Sequence, residues 1–239
     1  MEQSIKLQEK HLKTIRNVSE YDLSIQEEYD NHAILIGNIG NNYTGREFRK
    51  FDFDDHNKKI FKFLTYYFNN CKLAEEVFKD EGEEYKIHKN LLIIGEPGTG
   101  KTITMQIFSD YLKLTGNRNF FQNISVTQMM NYYKMNGHID KYTYNESEGN
   151  GAFEGKPFNV CLNDIGLEIE NQKHYGTDLD LVIDEFLYAR YEIYQQSHTK
   201  YHMTSNLSVD DFKKRFGDRL VDRFKSFNIL TLSGKSRRI

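Results

Sequence analysis

Short apolar runs alternate with segments of helical period over most of this chain. The run Leu91–Ile94 is typical of a buried parallel strand, and the segment after it carries apolar residues at helical spacing. The same pattern predicts further strands over residues 123–126, 159–162, 201–204 and 227–232. It predicts helices over residues 127–135, 178–195, 209–215 and 219–224. Strands that alternate with helices predict an α/β domain with a parallel sheet and right-handed crossovers.

The first part of the chain has a less regular pattern. Residues 2–17 carry three apolar positions among charges, which predicts a short amphipathic helix. Residues 18–50 lack a sustained period, so we expect an irregular linker with one possible strand over Ala33–Ile36. A helix capped by Asp54 or Asp55 is predicted to run to about Asn70. The pattern therefore predicts a helical and irregular extension over 1–50 and an α/β domain over 51–239.

The most informative motif lies between the first predicted strand and the helix that follows it. It matches G-x-x-x-x-G-K-[ST], whose glycines let backbone N–H groups approach phosphate oxygens without obstruction by Cβ atoms. The helix begins near Gly100, so its positive end faces the bound anion. We therefore expect ATP and Mg²⁺ as cofactors. The predicted nucleotide-binding residues are Gly95, Glu96, Pro97, Gly98, Thr99, Gly100, Lys101, Thr102 and Ile103.

Several polar side chains are expected to act on the bound nucleotide. Lys101 is predicted to reach the β and γ phosphates, and the Thr102 hydroxyl to hold Mg²⁺. The third strand ends in Asn163 and Asp164, where a P-loop ATPase needs an acidic residue to hold Mg²⁺ or orient water. Asn163 is a predicted Mg²⁺ site residue, because its amide can accept a bond from Mg²⁺-bound water, but it brings no charge. Asp164 is therefore expected to act as the base or take over the Mg²⁺ role. Glu168 is an alternative carboxylate.

Two later segments carry further candidate residues. Asn206 follows the fourth strand, between the P-loop strand and the acidic strand, and is predicted to position the attacking water. Arg219 and Arg223 lie four residues apart on one predicted helix face. An arginine that reaches a neighbouring subunit's site stabilises the charge that develops on the γ-phosphate. A salt-bridged surface helix, with Asp218 and Asp222 as partners, is the alternative.

Composition and charge narrow the class of protein. The chain has 239 residues, of which 28% are charged, and no apolar stretch approaches the length of a membrane span. Its start lacks the apolar core of a signal peptide, and Cys71 and Cys161 form no metal-ligand pattern, so a cytosolic location is expected. The net charge of −3 gives no overall nucleic-acid signature. The basic residues late in the chain are consistent with either a DNA-binding patch or a solvated helix face.

Taken in order, these motifs resemble those of the DnaC/DnaI helicase-loader branch of AAA+ ATPases and of the related IstB transposition ATPases. The resemblance covers about residues 51–239 and includes the segment before the P-loop, with Asn57 at its usual Asn. The other matching segments are Gly95–Thr102, Asn163–Gly166, Thr204–Asn206, Gly217–Arg223 and the closing Gly234–Arg238.

The resemblance implies roles that the motifs alone do not give. Arg223 matches the arginine finger, with Arg219 beside it, and Arg238 matches a cis arginine on phosphate, with Arg237 as a rival. The family implies a homo-oligomer that loads a replicative helicase onto single-stranded DNA, with residues 1–50 gripping the helicase and no C-terminal helical lid. Asn163 departs from the family's Asp, which predicts slow hydrolysis. An IstB-like transposition ATPase and a non-hydrolysing nucleotide-binding adaptor are the alternatives.

Overall fold

The computed structural model describes residues 22–45, 49–144, 155–166, 173–174, 177–216 and 218–237. Contacts between Cα atoms divide the chain into two compact units. The first unit is built from described residues within 1–89, 103–120 and 232–234. The second unit is built from described residues within 90–102, 121–231 and 235–239. The predicted helix over 2–17 lies outside the described residues.

Seven α-helices and seven strands are assigned among the described residues. The helices are α1 (Gln26–Thr44), α2 (Lys58–Phe68), α3 (Lys101–Thr115), α4 (Val126–Asn136), α5 (Leu179–Ser197), α6 (Val209–Arg215) and α7 (Asp218–Arg223). The strands are β1 (Asn90–Ile94), β2 (Gln122–Ser125), β3 (Val160–Ile165), β4 (Lys173–His174), β5 (Thr177–Asp178), β6 (Tyr201–Ser205) and β7 (Phe227–Thr231).

The second unit contains a five-stranded sheet in the order β2-β3-β6-β1-β7, and every pairing in it is parallel. The predicted α/β class and parallel sheet are therefore confirmed, and the fold is that of a P-loop NTPase with helices flanking the sheet. Strand β6 lies between β1 and β3, as expected for the strand that precedes Asn206. All carboxyl ends of the parallel strands meet at one edge, where such folds bind their ligands.

The strands of this sheet are apolar because helices cover them. All five residues of β1 are buried, and β6 is buried throughout. Met129 of α4 and Phe186 of α5 have no exposed surface and belong to the same hydrophobic core as Leu162 and Met203. This packing fixes the positions of the loops at the carboxyl edge.

The linker predicted over residues 18–50 is wrong for its central part, because residues 26–44 form the helix α1. Its buried face has the helical spacing of His32, Leu35, Ile36 and Ile39. Glycine and asparagine between these positions obscured the period. Packing explains the glycine at position 40, since a Cβ atom there would lie 2.5 Å from the Phe51 ring. A glycine that lowers helix propensity thus allows a ring to pack on the helix.

Helix α2 begins later than predicted, and Asn57 occupies its N-cap position. Asp54 is not the cap: its carboxylate accepts hydrogen bonds from the backbone N–H groups of His56 and Asn57, at 3.0 and 3.2 Å. In return, the Asn57 side chain accepts from the Asp54 N–H at 3.0 Å. This reciprocal pair closes the turn that leads into the helix.

Arg190 on α5 holds the two described ends of a long polar segment. Its Nε donates to the Tyr142 carbonyl at 2.6 Å, and its Nη1 donates to the Phe158 carbonyl at 2.7 Å. The guanidinium also lies 5.6 Å from the Phe158 ring centroid. Burial lowers the pKa of Arg190 to about 9. The segment between α4 and β3 is therefore held at Tyr142 and at Phe158, and its described part contains the 3₁₀ turn Asp140–Tyr142.

None of the helices described here combines the length and the apolar character that crossing a membrane requires.

A buried histidine in the first unit makes stability depend on pH. His32 has no exposed surface and shares a hydrogen bond with the Tyr111 hydroxyl, which also accepts from Asn69 at 2.8 Å. Burial lowers the pKa of His32 from 6.5 to about 4. Above pH 6.5 both folded and unfolded chains hold a neutral ring, whereas between pH 6.5 and 4 only the unfolded chain binds the proton. Stability therefore falls as the pH falls through this window.

We expect the His32 side chain to lower the free energy of unfolding by about 2 kcal/mol when the pH is lowered from 7.5 to 5. Denaturant titrations at the two pH values measure the loss. The His32→Gln variant is expected to lose less than the parent, although burial lowers the pKa of His202 as well, so some loss remains. His138→Gln, at an exposed histidine, is the matched control and is expected to behave like the parent. Equal losses in the parent and the His32 variant would contradict the assignment.

Candidate nucleotide-binding site

The loop between β1 and α3 has the backbone shape that phosphate binding requires. Gly98 and Gly100 have φ angles of 85° and 101°, which favour glycine over any residue with a Cβ atom. The Thr99 hydroxyl donates to the Glu96 carbonyl at 2.9 Å and tightens the turn. Helix α3 begins directly afterwards at Lys101 and runs for 15 residues, so the positive end of the helix faces the loop.

Lys101 lies inside this loop. Its side chain is buried, and its ammonium donates to the carbonyls of Gly95 at 2.6 Å and Glu96 at 2.9 Å. These bonds curl the loop around a positive charge. A phosphate that entered the loop would meet this charge together with the backbone N–H groups. Ile103, the last predicted nucleotide-binding residue, lies half-buried in the first turn of α3.

Thr102 and Asp164 are brought together, as a shared Mg²⁺ role requires. The Thr102 hydroxyl donates to the Asp164 carboxylate at 2.9 Å, although the two residues are 62 positions apart. A hydroxyl and a carboxylate are hard oxygen donors, which suit Mg²⁺. The described residues contain no group of three or more histidine, cysteine, aspartate and glutamate side chains that could hold a metal. The donor set therefore fits a Mg²⁺ ion that takes its other ligands from phosphate and water.

A register shift in β3 directs Asp164 towards Thr102. Leu162 pairs with Met203 and Ile165 with Ser205, so two residues of β3 lie opposite the single residue Thr204 of β6. Asp164 has a φ angle of 67°, in the left-handed region that residues with a Cβ atom rarely adopt. Bulges of this kind re-aim side chains beside active sites.

Asn163 does not share the Thr102–Asp164 arrangement. Its side chain is 2% exposed, and its Nδ2 donates to the Asn123 side-chain oxygen at 2.9 Å. Its Oδ1 accepts from the Thr204 hydroxyl at 3.2 Å. The amide therefore links β2, β3 and β6, and the predicted Mg²⁺ contact of Asn163 stays a prediction without a matching contact here. Cys161, below it, is a neutral thiol, because burial and then the charge of Asp164 raise its pKa.

Thr204 and Ser205 tie the end of β6 to the end of β3. The Asp164 N–H donates to the Thr204 hydroxyl at 3.0 Å, and the Ser205 hydroxyl donates to the Ile165 carbonyl at 2.7 Å. Asn206, the predicted water-positioning residue, is half-buried just past the strand. No role was predicted for Thr204 or Ser205 beyond their place in the matching segment Thr204–Asn206. Two hydroxyls at the end of a wholly buried strand are the signal that could have identified them.

Arg223 is held by two aromatic rings of α5. Its guanidinium carbon lies 4.4 Å from the Tyr188 ring centroid and 4.5 Å from that of Tyr191. Its Nη1 is buried without a hydrogen-bond partner among the described residues. Asp222 pairs with Lys225 rather than with Arg223. The side chain of Asp218, the other partner in the surface-salt-bridge alternative, lies outside the description, so that alternative stays open.

Other predicted site residues fall outside the description. They are Glu168, Arg238 and the side chain of Arg219. The rival residue Arg237 is described, and its backbone N–H donates to the Gly98 carbonyl at 2.9 Å. Ser236 lies so close to the loop that a Cβ atom on Gly98 would be 2.2 Å from its hydroxyl oxygen. The end of the described chain thus packs directly on the P-loop.

Comparison with known proteins finds no matching family model and no matching curated protein. Several solved structures are similar to this chain, and three of them follow. The DnaC helicase loader is 14% identical with a TM-score of 0.48, and the match covers 76% of this chain and 93% of DnaC. DnaI is 20% identical with a TM-score of 0.45, and the match covers 77% and 86%. AMPPCP-bound DnaA from Aquifex aeolicus is 16% identical with a TM-score of 0.48, and the match covers 76% and 48%.

The chain therefore spans about half the length of the DnaA chain that it matches. DnaC and DnaI carry the names of the branch whose motifs this chain resembles. Identities of 20% or less and TM-scores below 0.5 carry no conclusion about the activity or the partners of this chain.

The contact at Gly98 predicts the effect of a single methyl group. Gly98→Ala forces a residue with φ of 85° to carry a Cβ atom and pushes that atom into Ser236. We expect ATP affinity, measured by calorimetry, to fall about tenfold or more, since displacements near 1 Å are this costly in a preorganised site. Gly137→Ala is the matched control: its φ is 76°, and nothing lies within 4 Å of the added atom. Equal ATP affinity in both variants would show that the loop tolerates the methyl group.

Proposed function

We propose that the second unit binds ATP with Mg²⁺ and hydrolyses it slowly, as an AAA+ ATPase. The observation that carries this proposal is the hydrogen bond between Thr102, at the start of α3, and Asp164, at the end of β3. It joins the predicted phosphate loop to a carboxylate that lies far away in the sequence. A loop that only turned the chain would have no need for this pairing.

The proposed binding step uses the backbone of the loop and the charge of Lys101. The ammonium exchanges its bonds to the Gly95 and Glu96 carbonyls for bonds to phosphate oxygens. The N-terminal N–H groups of α3 stabilise the same negative charge. Thr102 and Asp164 would hold Mg²⁺, which neutralises charge on the β and γ phosphates when it is bound.

In the proposed hydrolysis step, the polar residues at the ends of β3 and β6 have different roles. Asp164 supplies the carboxylate, with Asn206 placed beyond β6 to orient water. The absence of a charge on Asn163 and its engagement with Asn123 and Thr204 support slow turnover. Arg223 is the proposed trans arginine in a homo-oligomer, and it would have to leave the rings of Tyr188 and Tyr191 to reach a neighbouring subunit.

The proposed biological role is that of a cytosolic helicase loader. It rests on the ordered motifs of the sequence, which resemble those of the DnaC/DnaI branch. In this role the ATP state would control binding of a replicative helicase and of single-stranded DNA, with residues 1–50 and 51–239 as the partner-binding extension and the ATPase domain. An IstB-like transposition ATPase shares the same ATPase motifs and is the second candidate. The loop geometry favours nucleotide binding in both cases.

Loss of Lys101 tests the nucleotide site. Lys101→Ala removes a charge-assisted contact, which we expect to cost roughly 1.5–3 kcal/mol of ATP affinity and to abolish turnover. Calorimetry and phosphate release measure the two effects. Lys113→Ala, on an exposed position of the same helix, is the matched control and is expected to change neither. Parental turnover in the Lys101 variant would exclude this loop as the site, and absence of turnover in the parent would favour the adaptor alternative.

Asn163→Asp tests which residue supplies the carboxylate. A second carboxylate beside Asp164 would raise hydrolysis if Asn163 alone limited it. The packing predicts otherwise, because an aspartate cannot donate to Asn123, and two oxygen acceptors would then face each other in a buried place. We therefore expect no gain in phosphate release and a loss of roughly 1–3 kcal/mol of stability, measured by denaturant titration. Faster turnover with unchanged stability would assign the limiting role to Asn163.

Helicase loading is tested by binding of the purified full chain to the replicative helicase of its own host. We expect binding that differs between ATP and ADP and that Lys101→Ala makes insensitive to nucleotide. The same measurement on duplex DNA distinguishes the second candidate. ATP-dependent filaments on duplex DNA, without helicase binding, would support the transposition role instead.

A further inference from the structure

The hydroxyl of Thr204 makes hydrogen bonds to both Asn163 and Asp164 at the end of β3. The side chain has no exposed surface, and the residue lies opposite both Asn163 and Asp164, where the register of β3 shifts. Its oxygen accepts from the Asp164 N–H at 3.0 Å and donates to the Asn163 Oδ1 at 3.2 Å. One buried side chain therefore contacts both residues of the bulge.

We infer that Thr204 is a positioning residue for Asp164, and that it holds the carboxylate where it meets Thr102. This inference rests on the proposed ATPase function of the site. It gives β6 a part in the site that acts through the carboxylate, beside the water-orienting role proposed for Asn206. The side chain of Thr204 does not itself need to touch the nucleotide.

The backbone of Asp164 explains why such a residue is needed. A φ angle of 67° is unfavourable for aspartate and persists only where the surroundings hold it. The Asp164 N–H lies at the register shift, where its acceptor is a side chain rather than a backbone carbonyl of β6. The Thr204 hydroxyl accepts that N–H and so stabilises the conformation from which the carboxylate reaches Thr102.

The directions of the hydrogen bonds also explain the asparagine at position 163. Because the Thr204 oxygen accepts from the Asp164 N–H, its own proton is free to go to the Asn163 oxygen. The Asn163 amide then turns its Nδ2 to Asn123. Only a side chain that accepts at one end and donates at the other satisfies both neighbours. Asn163 thus links Asn123 to Thr204 in the chain of bonds that orients Asp164.

Thr204→Val and Thr204→Ser separate positioning from packing. Valine keeps the shape and removes the hydroxyl, whereas serine keeps the hydroxyl and removes a methyl group. Thr65→Val is the matched control, because Thr65 is also buried and donates to a backbone carbonyl, of Phe61, at 2.8 Å in the first unit. Three readouts apply to each variant: ATP-dependent Mn²⁺ affinity, kcat and KM for ATP, and hydrogen exchange of the Asp164 amide.

We expect Thr204→Val to weaken Mn²⁺ binding and to lower kcat, each about tenfold, with KM within about twofold of the parent. Exchange of the Asp164 amide should become faster in the same variant. Thr204→Ser should stay within about threefold of the parent in every readout. Thr65→Val should lose stability without a change in Mn²⁺ affinity or kcat.

The inference is overturned if Thr204→Val keeps the parental Mn²⁺ affinity and the parental exchange rate of Asp164. It is also overturned if serine and valine have equal effects, because the hydroxyl would then be irrelevant. A parent chain without ATP turnover contradicts the proposed hydrolysis instead, and the Mn²⁺ and exchange measurements then still decide the role of Thr204.

Discussion

The bond between Thr102 and Asp164 is the interaction on which the site depends. It spans 2.9 Å and joins the first turn of the helix after the P-loop to the end of β3. Strand β6 lies between β1, which leads into the P-loop, and β3, which carries Asp164. The bond therefore depends on the parallel order of β1, β6 and β3. The buried strands and the covering core provide that order. The positions of Thr102 and Asp164 at the carboxyl edge of the sheet therefore depend on the side chains that pack on its faces.

The buried polar residues form a continuous network rather than isolated pairs. Asn123, Asn163, Thr204 and Asp164 are joined in sequence by hydrogen bonds of 2.9–3.2 Å. These bonds satisfy the hydroxyl of Thr204 and the side-chain oxygen of Asn163, both buried groups that would otherwise cost stability. The network leaves the carboxylate of Asp164 as the charged group that the proposed Mg²⁺ role needs. A neutral residue at 163 is thus part of the arrangement rather than a simple loss of charge.

The sequence predicted much of the fold and the centre of the site. The apolar runs placed β1, β3, β6 and β7 within a few residues, and the spacing of the P-loop motif identified the loop before α3. Helix α1 was missed because glycines and asparagines interrupt its period, and the reason for Gly40 is a ring that packs on it. The shift in β3 was also invisible, because a bulge depends on pairing with β6 rather than on local pattern. The position of Thr204 at the end of a buried strand indicated a paired hydroxyl, but its contacts with Asn163 and Asp164 follow only from the shift.

The most direct test of the account is ATP-dependent Mn²⁺ binding, followed by electron paramagnetic resonance, in the parent, Asp164→Asn and Asn163→Ala. The account predicts that Asp164→Asn weakens Mn²⁺ binding about tenfold or more, since a charged ligand is lost. Asn163→Ala is expected to weaken it less, because Asn163 acts only through Thr204 and Asp164. Unchanged Mn²⁺ affinity in Asp164→Asn, or a larger loss in Asn163→Ala, would contradict the central role of the Thr102–Asp164 pair.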